Sequence, residues 1–288
     1  MTKRIRSIHI VTRGGRDTWN LAEEIRDWLQ GRGITATLTR NHCDPGKDGE
    51  LPAPGSDLLL VLGGDGTMIS IARRTGGSGV PLLGLNQGRV GFLTDLYAHT
   101  WQTKLDEILS KDLEVRHRLA LDFSVFRSDK KVFSGRVVND LVINRGILAR
   151  LVNLDVAVNN ESLGQVRADG LIMSTPTGST AYGVSAGGPM LHPSLSAFSL
   201  TPICPFLKEF PPLALPGDSR LRVTVQQSSS DVFLTLDGQD GFALAPGDEV
   251  EVVRSKYDLL LARISGASYF SRLREKGFVS VPKGAKER

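Results

Sequence analysis

Five consecutive apolar residues, Leu58-Leu59-Leu60-Val61-Leu62, run directly into Gly63-Gly64-Asp65-Gly66-Thr67, and this junction constrains the fold more than any other part of the chain. An unbroken apolar run of this length is the pattern of a strand buried on both faces, as in a parallel sheet covered by helices. After the glycines, Met68, Ile69, Ile71 and Ala72 fall at helical spacing. Strand, glycine loop, helix is the local plan, and the neighbouring segments fit it. Ser7 to Val11 reads as a strand, and Thr18 to Leu29 sets Leu21, Ile25, Trp28 and Leu29 on one helical face before Gly31 and Gly33. Ile34 to Leu38 and Pro81 to Leu85 read as further strands, and the Pro- and Gly-rich stretch from Asp44 to Asp57 as a loop. This alternation predicts an open α/β domain.

From Leu119 onward the period changes to two. Leu119, Leu121, Phe123 and Val125 alternate with polar or small residues, as do Val152 to Val158, Leu221 to Val225 and Val232 to Leu236. Repetition of that period predicts a mainly antiparallel β domain, with the boundary near Arg118. A chain of 288 residues accommodates two such domains.

Composition excludes several classes. Lys plus Arg minus Asp plus Glu is 35 − 31 = +4, a mild excess without a basic block, so nucleic acid is not an expected partner. The densest basic stretch, Arg272, Arg274, Lys276, Lys283, Lys286 and Arg288, reads as a solvated tail. No segment approaches the roughly 18 apolar residues of a membrane span, and the apolar stretch from Ile8 to Val11 is too short for a signal sequence. Cys43 and Cys204 form neither a disulfide framework nor a metal spacing, the five His are scattered, and the expected address is the cytoplasm. Trp19, Trp28 and Trp101 read as helix-packing residues.

The 31 glycines exceed the roughly 20 of average usage, and the surplus gathers in three places. Gly63, Gly64 and Gly66 with Thr67 lie where an open α/β sheet binds ligands, at a helix N-terminus suited to phosphate. Asp65 is the oddity there. Its carboxylate would repel phosphate unless it binds a cation or accepts a proton, and the plain alternative is a helix cap. The second cluster, Gly84 to Leu93 with Asn86, Gly88 and Gly91, reads by itself as a turn. The third, Arg167 to Pro189, is a long run of glycines and small hydroxyl residues, a poor core but a good surface for phosphates and sugars. Within it, Gly183 to Gly187 matches the G-x-S-x-G pattern, but Pro176 and Gly178 interrupt the strand that a nucleophile elbow requires. Asn139-Asp140 is either a turn or an amide and carboxylate placed to read a carboxamide and ribose hydroxyls, and Asp237 to Gly241 reads as a hairpin turn.

Taken in order and spacing, Gly63-Gly64-Asp65-Gly66-Thr67, the Asn86 to Leu93 motif, Asn139-Asp140 and Asp169-Gly170 through Gly188-Pro189 resemble the NAD kinases over almost the whole chain. The Thr-Pro-Thr-Gly-Ser-Thr-Ala-Tyr segment ending at Tyr182 is the most specific part. The resemblance implies an α/β N-terminal open-sheet domain over 1–118, a mainly β NAD-binding domain over 119–264, and a segment 265–288 that packs back on the first domain and ends in a flexible basic tail. It implies transfer of the terminal phosphoryl group of ATP, or in some members polyphosphate, to the adenosine ribose 2′-hydroxyl of NAD, with Asp65 as proton acceptor. The NAD contacts it implies are Asp65, Gly66, Asn139, Asp140, Arg150, Arg167, Asp169, Thr180, Ala181, Tyr182, Gly183, Val184, Ser185 and Gln239. A divalent metal, usually magnesium, arrives with the nucleotide, and the family is typically a homodimer or homotetramer. After Pro202-Ile203-Cys204-Pro205 the chain departs from its relatives: Phe206 and Pro211 stand where a His and an Arg are usual, which bears on donor preference and assembly. A lipid or sugar kinase sharing only the Gly-Gly-Asp-Gly loop, and a non-catalytic NAD-binding regulator, are the rival readings.

Overall fold

The structure, a computed structural model, describes residues 4–41, 51–88, 91–146, 150–208, 210–226, 231–264 and 268–280. Cys43, the Arg89-Val90 pair and the basic residues Lys283, Lys286 and Arg288 lie outside them, as does the first half of the loop expected from Asp44 to Asp57. The chain divides into two compact units, Met1–Arg116 with Leu260–Arg288, and His117–Leu259.

The first unit opens with β1 (Ser7–Arg13), α1 (Arg16–Gln30), β2 (Thr35–Asn41), β3 (Leu58–Leu62), α2 (Asp65–Arg74), β4 (Leu82–Asn86), β5 (Thr94–Tyr97), α3 (Trp101–Ser110) and β6 (Val115–Arg118). The second comprises β7 (Leu121–Arg127), β8 (Lys130–Val137), β9 (Asp140–Arg145), β10 (Val152–Val158), β11 (Glu161–Ala168), β12 (Gly170–Ser174), the short helix α4 (Tyr182–Ser185), β13 (Ala197–Ile203), β14 (Leu213–Pro216), β15 (Leu221–Val225), β16 (Val232–Leu236), β17 (Asp240–Leu244) and β18 (Glu249–Arg254). The chain then returns to the first unit with β19 (Leu259–Ala262) and α5 (Tyr269–Glu275).

The first sheet runs β2-β1-β3-β4-β19-β6, with β5 also paired to β4. All five residues of β3 and of β4 are buried, which is why their sequence carries no polar alternation. β3 pairs in parallel with β1 and β4, so its glycine loop emerges at the carboxyl edge of the sheet. α1 turns Ala22, Ile25 and Leu29 inward, and the edge of the Trp28 ring meets Trp101 of α3 with centroids 5.2 Å apart. Among the described residues no helix is long and apolar enough to cross a membrane.

The second unit is two six-stranded antiparallel sheets, β11-β10-β15-β18-β7-β8 and β14-β13-β12-β9-β16-β17. Phe123, Val125, Leu154, Val156, Val223 and Val252 of one share a core with Leu141, Ile143, Met173, Phe198, Leu200 and Leu234 of the other. Each such side chain is worth roughly 1.5–3 kcal/mol over its exposed state. A one-residue slip of β10 would turn Val152, Leu154 and Val156 outward together, so several kcal/mol fix the register that the alternation announces.

Candidate active site

In the first unit the glycine loop after β3 begins with Gly63, whose N–H donates to the Leu85 carbonyl at 2.9 Å and ties the loop to β4. Gly64 is the N-cap position of α2 and Asp65 its first residue, and no side chain caps the helix. The capping alternative for Asp65 therefore fails. Its Oδ2 accepts the N–H of Phe92 at 2.7 Å and its Oδ1 the N–H of Leu93 at 3.0 Å, so the half-buried carboxylate is held by the second glycine cluster. Amide bonds to a charged acceptor are worth roughly 1.5–3 kcal/mol each. Gly91 permits this approach: a Cβ there would stand 2.1 Å from Asp65 Oδ1. What reads in isolation as a turn is thus the cradle of the loop's one acid. Within α2, Thr67 Oγ1 is buried with no hydrogen-bond partner among the described residues.

In the second unit Asn139 and Asp140 join β8 to β9. The Asp237 carboxylate, at the hairpin between β16 and β17, accepts the N–H groups of Val138 at 3.1 Å, Asn139 at 2.7 Å and Asp140 at 3.0 Å. The hairpin reading of Asp237 to Gly241 is right, yet it missed this reach across the sheet. Thr175 donates its N–H to the Asn139 carbonyl at 2.8 Å and its hydroxyl to the Val138 carbonyl at 2.5 Å, then accepts the Gly178 N–H at 3.0 Å. Gly178 lies so close that a Cβ would stand 2.1 Å from the Asn139 carbonyl oxygen. At position 178 only glycine fits, because backbone packs on backbone there.

Asp140 is 4% exposed and accepts the N–H of Tyr182, the first residue of α4. Burial raises its pKa to about 7, helped by the nearby negative charge of Asp237 and opposed by the Tyr182 amide. Gly183 is buried, while Thr180, Ala181 and Val184 are partly exposed and Tyr182 and Ser185 exposed. Ser185 Oγ lies 3.4 Å from the Ala181 carbonyl at the end of a four-residue helix, and no strand leads into it, so the G-x-S-x-G match is not a nucleophile elbow.

Strands β9 and β12 pair from Asp140↔Ser174 to Asn144↔Gly170. Beyond the second end, Asp169 Oδ1 accepts from Arg145 Nε at 2.6 Å, a partner that sequence reading did not single out. Five strand steps, roughly 17 Å at about 3.4 Å each, separate the Asp140 end from Asp169, a span suited to an elongated ligand. Arg167 lies on β11, where its guanidinium stands 5.1 Å from the centre of the Phe206 ring. Arg150 is exposed just before β10 and Gln239 exposed in the β16–β17 hairpin. The fold thus brings Asn139, Asp140, Tyr182 and the Asp237 hairpin together, and sets Asp169 at the far end of the β9–β12 pairing.

The solvated-tail reading fails at Arg272. This residue of α5 is 9% exposed and its side chain pairs with Asp95, because the last helix buries one face on the sheet edge near β5. Among the described residues no group of three or more His, Cys, Asp or Glu could hold a metal ion.

Two family models match the chain: the ATP-NAD kinase N-terminal domain over residues 50–113 and the ATP-NAD kinase C-terminal domain over 138–264. The NAD kinase of Nitratidesulfovibrio vulgaris (strain Miyazaki F) is 51% identical over 278 residues, 96% of this chain and 97% of that one. The NAD kinase of Oleidesulfovibrio alaskensis is 44% identical over 287 residues, 99% and 97% of the two. The crystal structure of yeast NADH kinase complexed with NADH aligns with a TM-score of 0.84 at 25% identity, covering 99% of this chain and 91% of its own. An NAD kinase from Archaeoglobus fulgidus in complex with ATP has the same fold, with a TM-score of 0.75 at 22% identity over 93% of this chain and 99% of its own.

Proposed function

Since this chain belongs to the NAD kinase family, we propose that Asp65 takes the proton of the acceptor hydroxyl while the second unit holds NAD. The protein is a phosphotransferase that makes NADP from NAD and ATP. The observation that carries the role of Asp65 is its pair of backbone donors, Phe92 and Leu93. A carboxylate has about four lone-pair positions. Two amides occupy two of them and fix the group without exhausting it, which is what a positioned general base needs.

In the reaction the adenosine ribose 2′-hydroxyl gives its proton to Asp65 as its oxygen bonds to the γ-phosphorus. The bond from that phosphorus to the bridging oxygen breaks, ADP leaves, and the proton passes to solvent. Such a transfer asks mainly for positioning and charge neutralisation. Gly63, Gly64, Gly66 and Thr67 are proposed as the phosphate loop; the positive end of the α2 dipole and the unpartnered Thr67 hydroxyl support this reading. The divalent ion, magnesium by expectation, is proposed to arrive with the nucleotide as part of the substrate. When bound it neutralises phosphate charge.

NAD is proposed to contact Asp65, Gly66, Asn139, Asp140, Arg150, Arg167, Asp169, Thr180 to Ser185 and Gln239. The support in the second unit is a preorganised surface: Asp237 fixes the Asn139-Asp140 turn, and Arg145 fixes Asp169. Assembly into a homo-oligomer and a cytoplasmic location complete the proposal. Leu207, 71% exposed beside Phe206 at 44%, is apolar surface of the kind a second subunit covers, and light scattering decides the subunit number.

The direct test is NADP formation from magnesium, ATP and NAD, read with an NADP-specific dehydrogenase. Asp65→Asn is expected to lose about 10²–10⁴-fold in kcat with NAD binding kept. Absence of NADP with the wild type under any donor refutes the activity, and turnover within tenfold of wild type in Asp65→Asn moves the proton acceptor elsewhere.

A further inference from the structure

Three contacts from one C-terminal segment converge on Phe92. Arg272 of α5 donates to the Phe92 carbonyl and pairs with Asp95. The Lys276 ammonium lies 5.8 Å from the centre of the Phe92 ring, and the Phe278 ring meets it edge-on at 5.9 Å. Phe92 is thus gripped by its carbonyl and by its ring.

The carbonyl matters most. The Phe92 C=O and the Leu93 N–H belong to one peptide unit, which is planar and trans, so the two groups point in opposite directions. Arg272 holds one end of that unit and Asp65 Oδ1, 3.0 Å from the Leu93 nitrogen, receives the other. A carbonyl that accepts from a cation also polarises its amide, making the N–H a better donor. The guanidinium fork suits a task in which two acceptors, Asp95 and the Phe92 carbonyl, must be met at fixed geometry. Burial pulls the Arg272 pKa below arginine's ordinary value, and the negative charges of Asp65 and Glu275 act against it. The Arg272 and Asp95 side chains are 11% and 12% exposed, so solvent screens the pair little.

We propose that Arg272 is a positioning residue for the transfer reaction: from α5 it locks the Phe92–Leu93 peptide whose amide fixes the Asp65 carboxylate. This rests on the reading of Asp65 as proton acceptor. A mere anchor for the C-terminal helix would need the ion pair with Asp95 and the ring contacts, but would leave the Asp65 amides indifferent to the guanidinium.

The test uses the full chain with Arg272→Met and Arg272→Lys, alone and combined with Asp65→Asn. Arg272→Met is expected to lower kcat about 10- to 100-fold, with KM for NAD and ATP within about twofold, because loosening the base affects turnover rather than ground-state binding. Hydrogen exchange of the peptide spanning residues 91–95 is expected to quicken at least about tenfold. Arg272→Lys, which keeps the charge but not the fork, should fall between. In the Asp65→Asn background Arg272→Met should add little further loss of kcat, since both changes disable one unit. Unchanged exchange at 91–95 in a folded variant, or an equal loss of kcat with and without Asp65, overturns the proposal. Should Arg272→Met fail to fold, Arg272→Lys with wild-type kcat and exchange does the same. A fully active Asp65→Asn enzyme would instead remove the underlying reading, so the two failures are distinct.

Discussion

Replacing Gly91 by alanine tests the cradle with the smallest possible change. The new Cβ would stand 2.1 Å from Asp65 Oδ1, and real Cβ contacts essentially never fall below 3.0 Å, so carboxylate or loop must move by about 1 Å. If the carboxylate moves, it leaves the position set by the Phe92 and Leu93 amides; if the loop moves, those bonds lengthen. A misplacement of about 1 Å in reacting groups costs on the order of 10²-fold, which is about 2.7 kcal/mol in the barrier. Gly91→Ala is therefore expected to keep KM within about twofold and to lose about 10²-fold in kcat in the coupled NADP assay. Gly31→Ala is the matched control. Its Cβ would lie 3.5 Å from the Asp27 carbonyl, an ordinary contact, at a helix C-cap of φ −59°. A folded Gly91→Ala enzyme with kcat like that of Gly31→Ala would refute the account of the Asp65 site.

Two further expectations concern the second unit. Gly178→Ala forces a Cβ to within 2.1 Å of the Asn139 carbonyl oxygen, where backbone on both sides cannot rotate away. Overpacking of this kind costs about 3 kcal/mol, or roughly 6–12 °C in Tm, so a melt within about 2 °C of wild type contradicts the packing described. Asp140, with its pKa raised to about 7, binds its proton more tightly folded than unfolded, where a carboxyl titrates near about 3.9. Stability is therefore expected to fall as pH rises from about 4 to about 7, with the full cost present above that window. Asp140→Asn cannot ionise and should gain on the wild type across the same window, by on the order of 4 kcal/mol. Urea melts of both proteins from pH 4 to 8 would reveal it, and a pH-independent difference would exclude an ionisation at Asp140.

The class of the fold and the location of its glycine loops were legible in the residues. The apolar run of β3 is unbroken because both faces are buried, and β10 alternates because it has one face in the core, so burial writes itself into local pattern. Glycine surplus marked the loops for the same local reason: absent side chains permit close backbone approach. Tertiary structure alone decided what each glycine approaches. Asp65 and Phe92 lie 27 residues apart, Asp237 and Asn139 98, and Arg272 and Phe92 180, and no periodicity links positions so separated. The two glycine clusters of the first unit are one site because β3 and β4 are neighbours in a parallel sheet, whose strand ends bring both loops to the same edge. Arg272 looks like part of a basic tail for want of any local cue, since an arginine in a sequence carries no mark of the carboxylate and carbonyl that bury it. Side-chain pattern records whether a residue faces core or solvent; the identity of its partner depends on how the sheets and helices bring distant segments of chain together.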